Sequence, residues 1–275
     1  MKNTKMISLL VPIISVILAF LIGCIIMAAL SANPVVALQA LWKGAFGSVR
    51  NIGTTLSRST PLIFTGLCAC FAYKCGVFNL GGAGWIEADG VRYEMGFEDC
   101  LYISRSTRNV VFGSNDKAAP ARFYLVSAPA HKDCKTTFIS IKDANKRPLG
   151  STETANKRVI NQFIHPDVLE TCQLSMGLTQ LEPGSVWNSV PPHTHERRME
   201  IYTYFNLPED GIVLHLMGQP QETRHIVMQN YEAVISPSWS LHAGCGSSNY
   251  TFIWAMGGEN QAFDDMDNFA INELR

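Results

Sequence analysis

No aspartate or glutamate precedes Glu87, although Lys2, Lys5, Lys43, Arg50, Arg58 and Lys74 all do. The opening eighty or so residues and the remainder are therefore different kinds of chain. Charge is scarce overall, 16% of residues against 47% hydrophobic, and the formal net charge is −1. That balance excludes the basic footprint of a nucleic-acid binder, and the apolar excess points to a membrane segment. The eight cysteines (Cys24, Cys68, Cys70, Cys75, Cys100, Cys134, Cys172 and Cys245) contain no Cys-x-x-Cys pair and no regular spacing. A thiolate zinc module and a disulfide framework are thereby excluded, and the residues read as reduced thiols. Cys245, three residues after His242, reads as a small core thiol. A zincin helix is also missing, because His195-Glu196-Arg197-Arg198-Met199 starts like HExxH and closes on methionine.

What the opening does contain is an apolar run from Ile7 to Leu30, interrupted by little more than Gly23 and a few small or hydroxyl residues. It is long enough to cross the ~30 Å hydrocarbon core as a helix. It also outruns a signal-peptide core of about 7–15 residues. Lys2 and Lys5 ahead of it favour an N-terminus inside the cell. A second, weaker apolar stretch runs from Pro61 to Tyr73, so one or two transmembrane helices are predicted, at about 7–30 and 61–78. Leu41-Trp42-Lys43-Gly44-Ala45-Phe46-Gly47-Ser48, Ser59 to Leu67 and Gly76-Val77-Phe78-Asn79-Leu80-Gly81 resemble the start of a sugar- or nucleoside-type ABC importer permease. The other spans of a permease are missing from this chain, which excludes transport as its activity.

From Gly81 onward, short alternating runs separated by turn residues predict an all-β region. Strands are expected at Trp85–Ala88, Val91–Met95, Cys100–Ser104, Asn109–Gly113 and Arg122–Ser127, with Asp89-Gly90 as a hairpin turn. Residues 132–161 read as a polar connector. Strand texture returns at Cys172–Leu181, Arg198–Phe205, Ile212–Met217, Thr223–Met228, Ala233–Ser236 and Tyr250–Met256.

Within that second group lies Pro191-Pro192-His193-Thr194-His195-Glu196-Arg197-Arg198-Met199-Glu200. Residues two apart on a strand share a face, so His193 and His195 project side by side. Glu200 has the wrong parity to join them unless a bulge or turn after His195 re-aims the chain. With His242 these residues form an N₃O donor set suited to Zn²⁺, one ion per chain, or to Mn²⁺, Fe²⁺ or Ni²⁺. The spacing His-x-His, four residues, Glu, then a lone His about forty residues on resembles the two metal motifs of cupins, with Trp239 where many cupins have glycine.

A narrower resemblance follows from Gly81-Gly82-Ala83-Gly84, Ser127 to His131, Pro166 to Thr179, Pro192 to Glu200, Gly218 to Met228 and Gly258 to Asp267. From about Val77 to Arg275 the chain resembles the 5-keto-4-deoxyuronate isomerase family, also called 4-deoxy-L-threo-5-hexosulose-uronate ketol-isomerase. The resemblance implies a two-barrel cupin with its first barrel truncated, here preceded by the N-terminal transmembrane region. The implied domains are 1–80 membrane segment, 81–131 partial first barrel, 132–161 connector and 162–275 metal-binding barrel. It implies zinc on His193, His195, Glu200 and His242, a small sugar-acid substrate, a cytoplasmic catalytic part and a homo-oligomer. The implied reaction interconverts 5-dehydro-4-deoxy-D-glucuronate and 3-deoxy-D-glycero-2,5-hexodiulosonate in pectin and uronate breakdown.

Such a reaction moves a proton between adjacent carbons and needs a base, together with a cation for the substrate carboxylate. On the predicted strand Glu222–Met228, His225 is the shuttle candidate if its face points inward. If the opposite face does, Glu222 is the base and Arg224 the clamp. Tyr202 and Tyr204 have the parity of Glu200; Arg197 and Arg198 read as a solvated turn. Two alternatives stay open: an inactive membrane-tethered metal or sugar-acid binding module, and a recombined reading frame joining a permease start to an isomerase end.

Overall fold

A computed structural model describes residues 14, 18–30, 32–55 and 73–275, and the chain divides into two compact units, Met1–Cys70 and Phe71–Arg275. In the first unit, residues 18–29 are helical and a second helix spans Pro34–Phe46. That second helix starts where Asn33 accepts the Val35 and Val36 amides with its side chain and Pro34 occupies the first turn, where a missing N–H costs nothing. Among the described residues no helix is long and apolar enough to cross a membrane. Much of the predicted first span and residues 61–72 of the second lie outside the described residues.

The predicted second span is corrected at its end. Residues 73–78 belong to a strand, β1 (Tyr73–Asn79), held between partners on both sides. A central strand with both faces covered has the same unbroken apolar texture as a helical span, and length alone separates them.

The chain continues through β2 (Gly84–Ala88), β3 (Val91–Met95), β4 (Cys100–Ile103), β5 (Val110–Ser114), β6 (Phe123–Pro129) and β7 (Thr137–Ile139). A four-stranded sheet in the order β6-β1-β4-β7 packs on a three-stranded sheet β3-β2-β5. Alternation sorts the side chains: Val77, Leu101 and Ile103 face Ile86 and Met95 in the core between these two sheets.

β8 (Asn145–Leu149), β9 (Arg158–Ile164), β10 (Leu174–Leu181), β11 (Trp187–Thr194), β12 (Arg198–Phe205) and β13 (Val213–Gln219) follow. The strands end with β14 (Glu222–Met228), β15 (Ala233–Ser236), β16 (Leu241–Gly246), β17 (Thr251–Gly258) and β18 (Asp267–Asn268). They make a six-stranded sheet, β15-β12-β17-β10-β9-β8, facing a five-stranded one, β14-β13-β16-β11-β18. The passage 132–161 is therefore not a plain connector, since it holds β7, β8 and the first residues of β9.

The two sandwiches share a core. Phe78, Cys100 and Tyr102 on the first meet Phe163, Leu174, Met176, Leu178, Ile253 and Ala255 on the second. Phe78 and Phe163 meet edge to face at 4.8 Å, and each such fully buried ring stabilises by about 1.5–3 kcal/mol. At Gly76 a Cβ would lie 2.4 Å from Met176 Cε and 2.7 Å from Ile164 Cδ1, so a larger residue there would make these side-chain ends shift. The expected predominantly β architecture is thus present. The other face of β12 and β17 sends Tyr202, Tyr204, Phe252, Trp254 and Met256 into the second sandwich, where the site lies.

Candidate metal centre

Four ligand atoms, one each from His193, His195, Glu200 and His242, lie within 4.8 Å of one another. β11 and β16 pair His193 directly with His242, across a register shift between Asn188 and His193. After His195 the chain turns through Arg197 at φ 57, and β12 begins at Arg198. This is the re-aiming that the odd offset of Glu200 required. Left-handed φ at a non-glycine residue is uncommon, and here it sets the angle of entry into β12.

The Glu200 Oε2 atom accepts from His195 Nε2 at 3.0 Å and from His242 Nε2 at 2.8 Å, and His242 Nε2 lies 3.1 Å from His193 Nε2. His195, Glu200 and His242 are buried. Burial alone would raise the Glu200 carboxyl, but His242 and His195 beside it overcome that and hold it below its usual range. Desolvation, reinforced by His242, pushes the His193 imidazole down to about 3, so the ring is neutral and its nitrogen available. His193 Nδ1 sits 3.1 Å from the Pro191 carbonyl, and donating there leaves Nε2 bare.

His195 Nδ1 lies 3.1 Å from the Asp265 carbonyl and 2.8 Å from Arg198 Nη2. Donating to the carbonyl frees Nε2 for a ligand, while accepting from Arg198 leaves Nε2–H for Glu200. Arg198 was expected on a solvated turn. It is 3% exposed and also donates to the carbonyls of Ala262, Phe263 and Asp265. Three imidazoles around one carboxylate held below its usual range, collapsed to near hydrogen-bond spacing, fit a divalent cation bound at about 2.0–2.2 Å.

The cluster opens on a cavity of about 410 Å³, whose walls include Arg147, Arg158, Tyr202, Trp254 and Asp264. Tyr202 reaches Ser189 Oγ at 2.5 Å, and burial raises its hydroxyl well above the usual range. Tyr204 lies deeper and meets His215 Nδ1 at 2.7 Å. Cys245 is not among the ligand atoms.

The structure does not bring the β14 candidates to this cavity. Glu222, Arg224 and His225 are all exposed and line no wall of this cavity. Glu222 and Arg224 form a surface ion pair at 2.9 Å with both side chains 73% exposed. β14 is an edge strand that buries only Met228, so neither face supplies the inward side the parity argument assumed. The cavity residues the sequence reading passed over are Arg147, Arg158 and Asp264. The first two sit in the supposed connector, where Arg158-Val-Ile-Asn-Gln-Phe-Ile was a legible strand signal.

Residues 80–271 match the model of the KduI/IolB family. The chain belongs to that family. A 4-deoxy-L-threo-5-hexosulose-uronate ketol-isomerase of Burkholderia cenocepacia is 57% identical over 202 residues, 74% of this chain and 73% of the relative. One of the same name from Salmonella paratyphi A is 58% identical over the same shares. Among solved structures, an IolB-like protein of Salmonella typhimurium superposes with TM-score 0.62 at 15% identity, covering 72% of this chain and 80% of that one. A putative glyoxylate-induced protein of Pseudomonas aeruginosa gives 0.51 at 11%, covering 69% and 67%. At such identities these two likenesses speak for the mostly β fold of this family member and for nothing further.

Proposed function

We propose that this chain is a zinc-dependent aldose–ketose isomerase converting 5-dehydro-4-deoxy-D-glucuronate to 3-deoxy-D-glycero-2,5-hexodiulosonate. The observation that carries the reading is the gathering of three imidazoles and one carboxylate within 4.8 Å of one another, three of the four residues lining a cavity. Membership of a family whose ketol-isomerases are more than half identical supports it. His193, His195, Glu200 and His242 would hold the cation, which when bound supplies Lewis-acid polarisation of a substrate oxygen. The reaction also moves one proton between neighbouring carbons. Asp264 is the lining carboxylate outside the cluster and takes the base role in place of Glu222 or His225. Tyr202, held by Ser189, keeps its proton and donates to substrate oxygen. Phe252, Trp254 and Phe263 wall the cavity with apolar surface and limit water around the reacting carbons.

The N-terminal unit we assign to membrane attachment, with a cytoplasmic catalytic part. Its support is chemical: the described helices expose Leu18, Phe20, Ile25, Ile26, Leu41, Trp42 and Phe46, and no acidic residue precedes Glu87. Alkaline carbonate washing of membranes from cells making the full chain tests it, since a washed-off chain would overturn the assignment. For the isomerase reading, the full chain is supplied with the dehydro-deoxy-uronate and the diulosonate is quantified. Turnover that disappears in His242→Ala supports the reading, and equal product with and without protein sinks it.

A further inference from the structure

We infer that Arg158, seconded by Arg147, is an anion site that seats the substrate carboxylate across the cavity from the metal ligands. The inference rests on the isomerase reading for the identity of the substrate, while the anion site itself stands on the geometry. Arg158 opens β9 and is 9% exposed, yet its side chain lines the cavity. Its Nη1 donates to the Asn156 carbonyl at 2.9 Å and its Nη2 to the Val190 carbonyl at 3.4 Å. No ion pair among the described residues includes it.

Arg198, the other buried arginine, differs in having Glu200, Asp265 and Asp264 close enough to favour its charge. At Arg158 the neighbouring ionisable groups are the phenols of Tyr202 and Tyr250, which keep their protons. A guanidinium held this way is charged, desolvated and without a counter-charge, which is costly until an anion arrives. The two carbonyl contacts fix the fork in place, so a carboxylate meets a donor array already oriented.

Register supplies the second cation. Arg147 on β8 lies opposite Ile160, and Leu149 lies opposite Arg158. Ile160 packs into the core of the second sandwich, so Arg158 and Arg147 share that inward face as diagonal neighbours. Arg147 is exposed at the cavity's edge, 6.0 Å over the Phe263 ring. Because the same cavity is lined by His193, His195 and Glu200, a bound uronate meets guanidinium with one end and the ligand cluster with the other. A neutral sugar would leave the buried charge unanswered, so this wall selects sugar acids.

The test is calorimetric titration of the metal-loaded full chain with D-glucuronate and with D-glucose. The parent is expected to bind glucuronate at least about tenfold more tightly, the scale of one charge-assisted contact. Arg158→Met should abolish that preference with metal per chain unchanged. Arg158→Lys, which keeps the charge and loses the fork, should retain part of it. Equal affinities in the parent overturn the proposal, as does a preference that survives in Arg158→Met. If Arg158→Met fails to fold, the parent comparison and Arg158→Lys still decide: parental preference in Arg158→Lys would sink the fork geometry. A preference that depends on Arg158 in a chain that isomerises nothing would retire the isomerase reading and leave the anion site standing. Turnover without any preference would do the reverse.

Discussion

Acidification should weaken the fold through one histidine that is not a metal ligand. His215 on β13 is 0% exposed, its Nδ1 meets the Tyr204 hydroxyl, and its Nε2 has no hydrogen-bond partner. Desolvation, with His242 adding to it, pushes this imidazole down to about 3 from an ordinary value of 6.5. Between those two values the unfolded chain binds a proton that the folded one refuses. Stability therefore rises with pH across this window, is complete above about 6.5, and is lost as pH falls, by about 1.4 kcal/mol per unit. Going from about pH 6.5 to 5 should cost about 2 kcal/mol at this residue alone. Urea unfolding of the full chain at about pH 7, 6 and 5, parent beside His215→Asn, reads the effect as a difference in slope. Any fixed cost of the substitution drops out, because each protein is compared with itself. The parent should lose about 2 kcal/mol more than the variant over that range. Parallel lines would refute the claim that a buried neutral imidazole drives the acid response.

Other outcomes follow from the same geometry. Arg198→Met removes the donor that holds the Asp265 carbonyl, the acceptor that orients His195 through Nδ1, and metal affinity measured by chelator competition should fall on the order of 10–100-fold. His225→Gln and Arg224→Gln should leave turnover within about twofold, as surface changes far from any special feature do; a larger loss would return β14 to the mechanism. Gly76→Val forces a side chain into Met176 and Ile164 and should lower unfolding free energy by about 1–3 kcal/mol in urea titration. Asp264→Asn should depress kcat far more than KM if this carboxylate is the base.

Strands with one wet face were readable from the letters. β2, β3, β5 and β6 appear within a residue or two of expectation because alternation and turn residues such as Asp89-Gly90 mark them. β1 was hidden by being covered on both faces, where Val77 and Phe78 are each 0% exposed and periodicity vanishes. β8 was hidden for the opposite reason, since all five of its residues are exposed. β11 carries Pro191 and Pro192, which argue against a strand until its bulged pairing with β16 is seen. The four clustered residues could be picked out because a His-x-His pair followed by a carboxylate and a lone later imidazole is a chemically specific pattern. Arg158 could not, because what distinguishes it is a missing counter-charge, and that exists only after β9 is folded against the cavity.

The most direct test of the account is metal content set against turnover in the full chain. About one zinc per chain, loss of both metal and ketol isomerisation on chelation, and return of both on adding zinc is the predicted result. Undiminished turnover in a chain shown to hold no metal would contradict it.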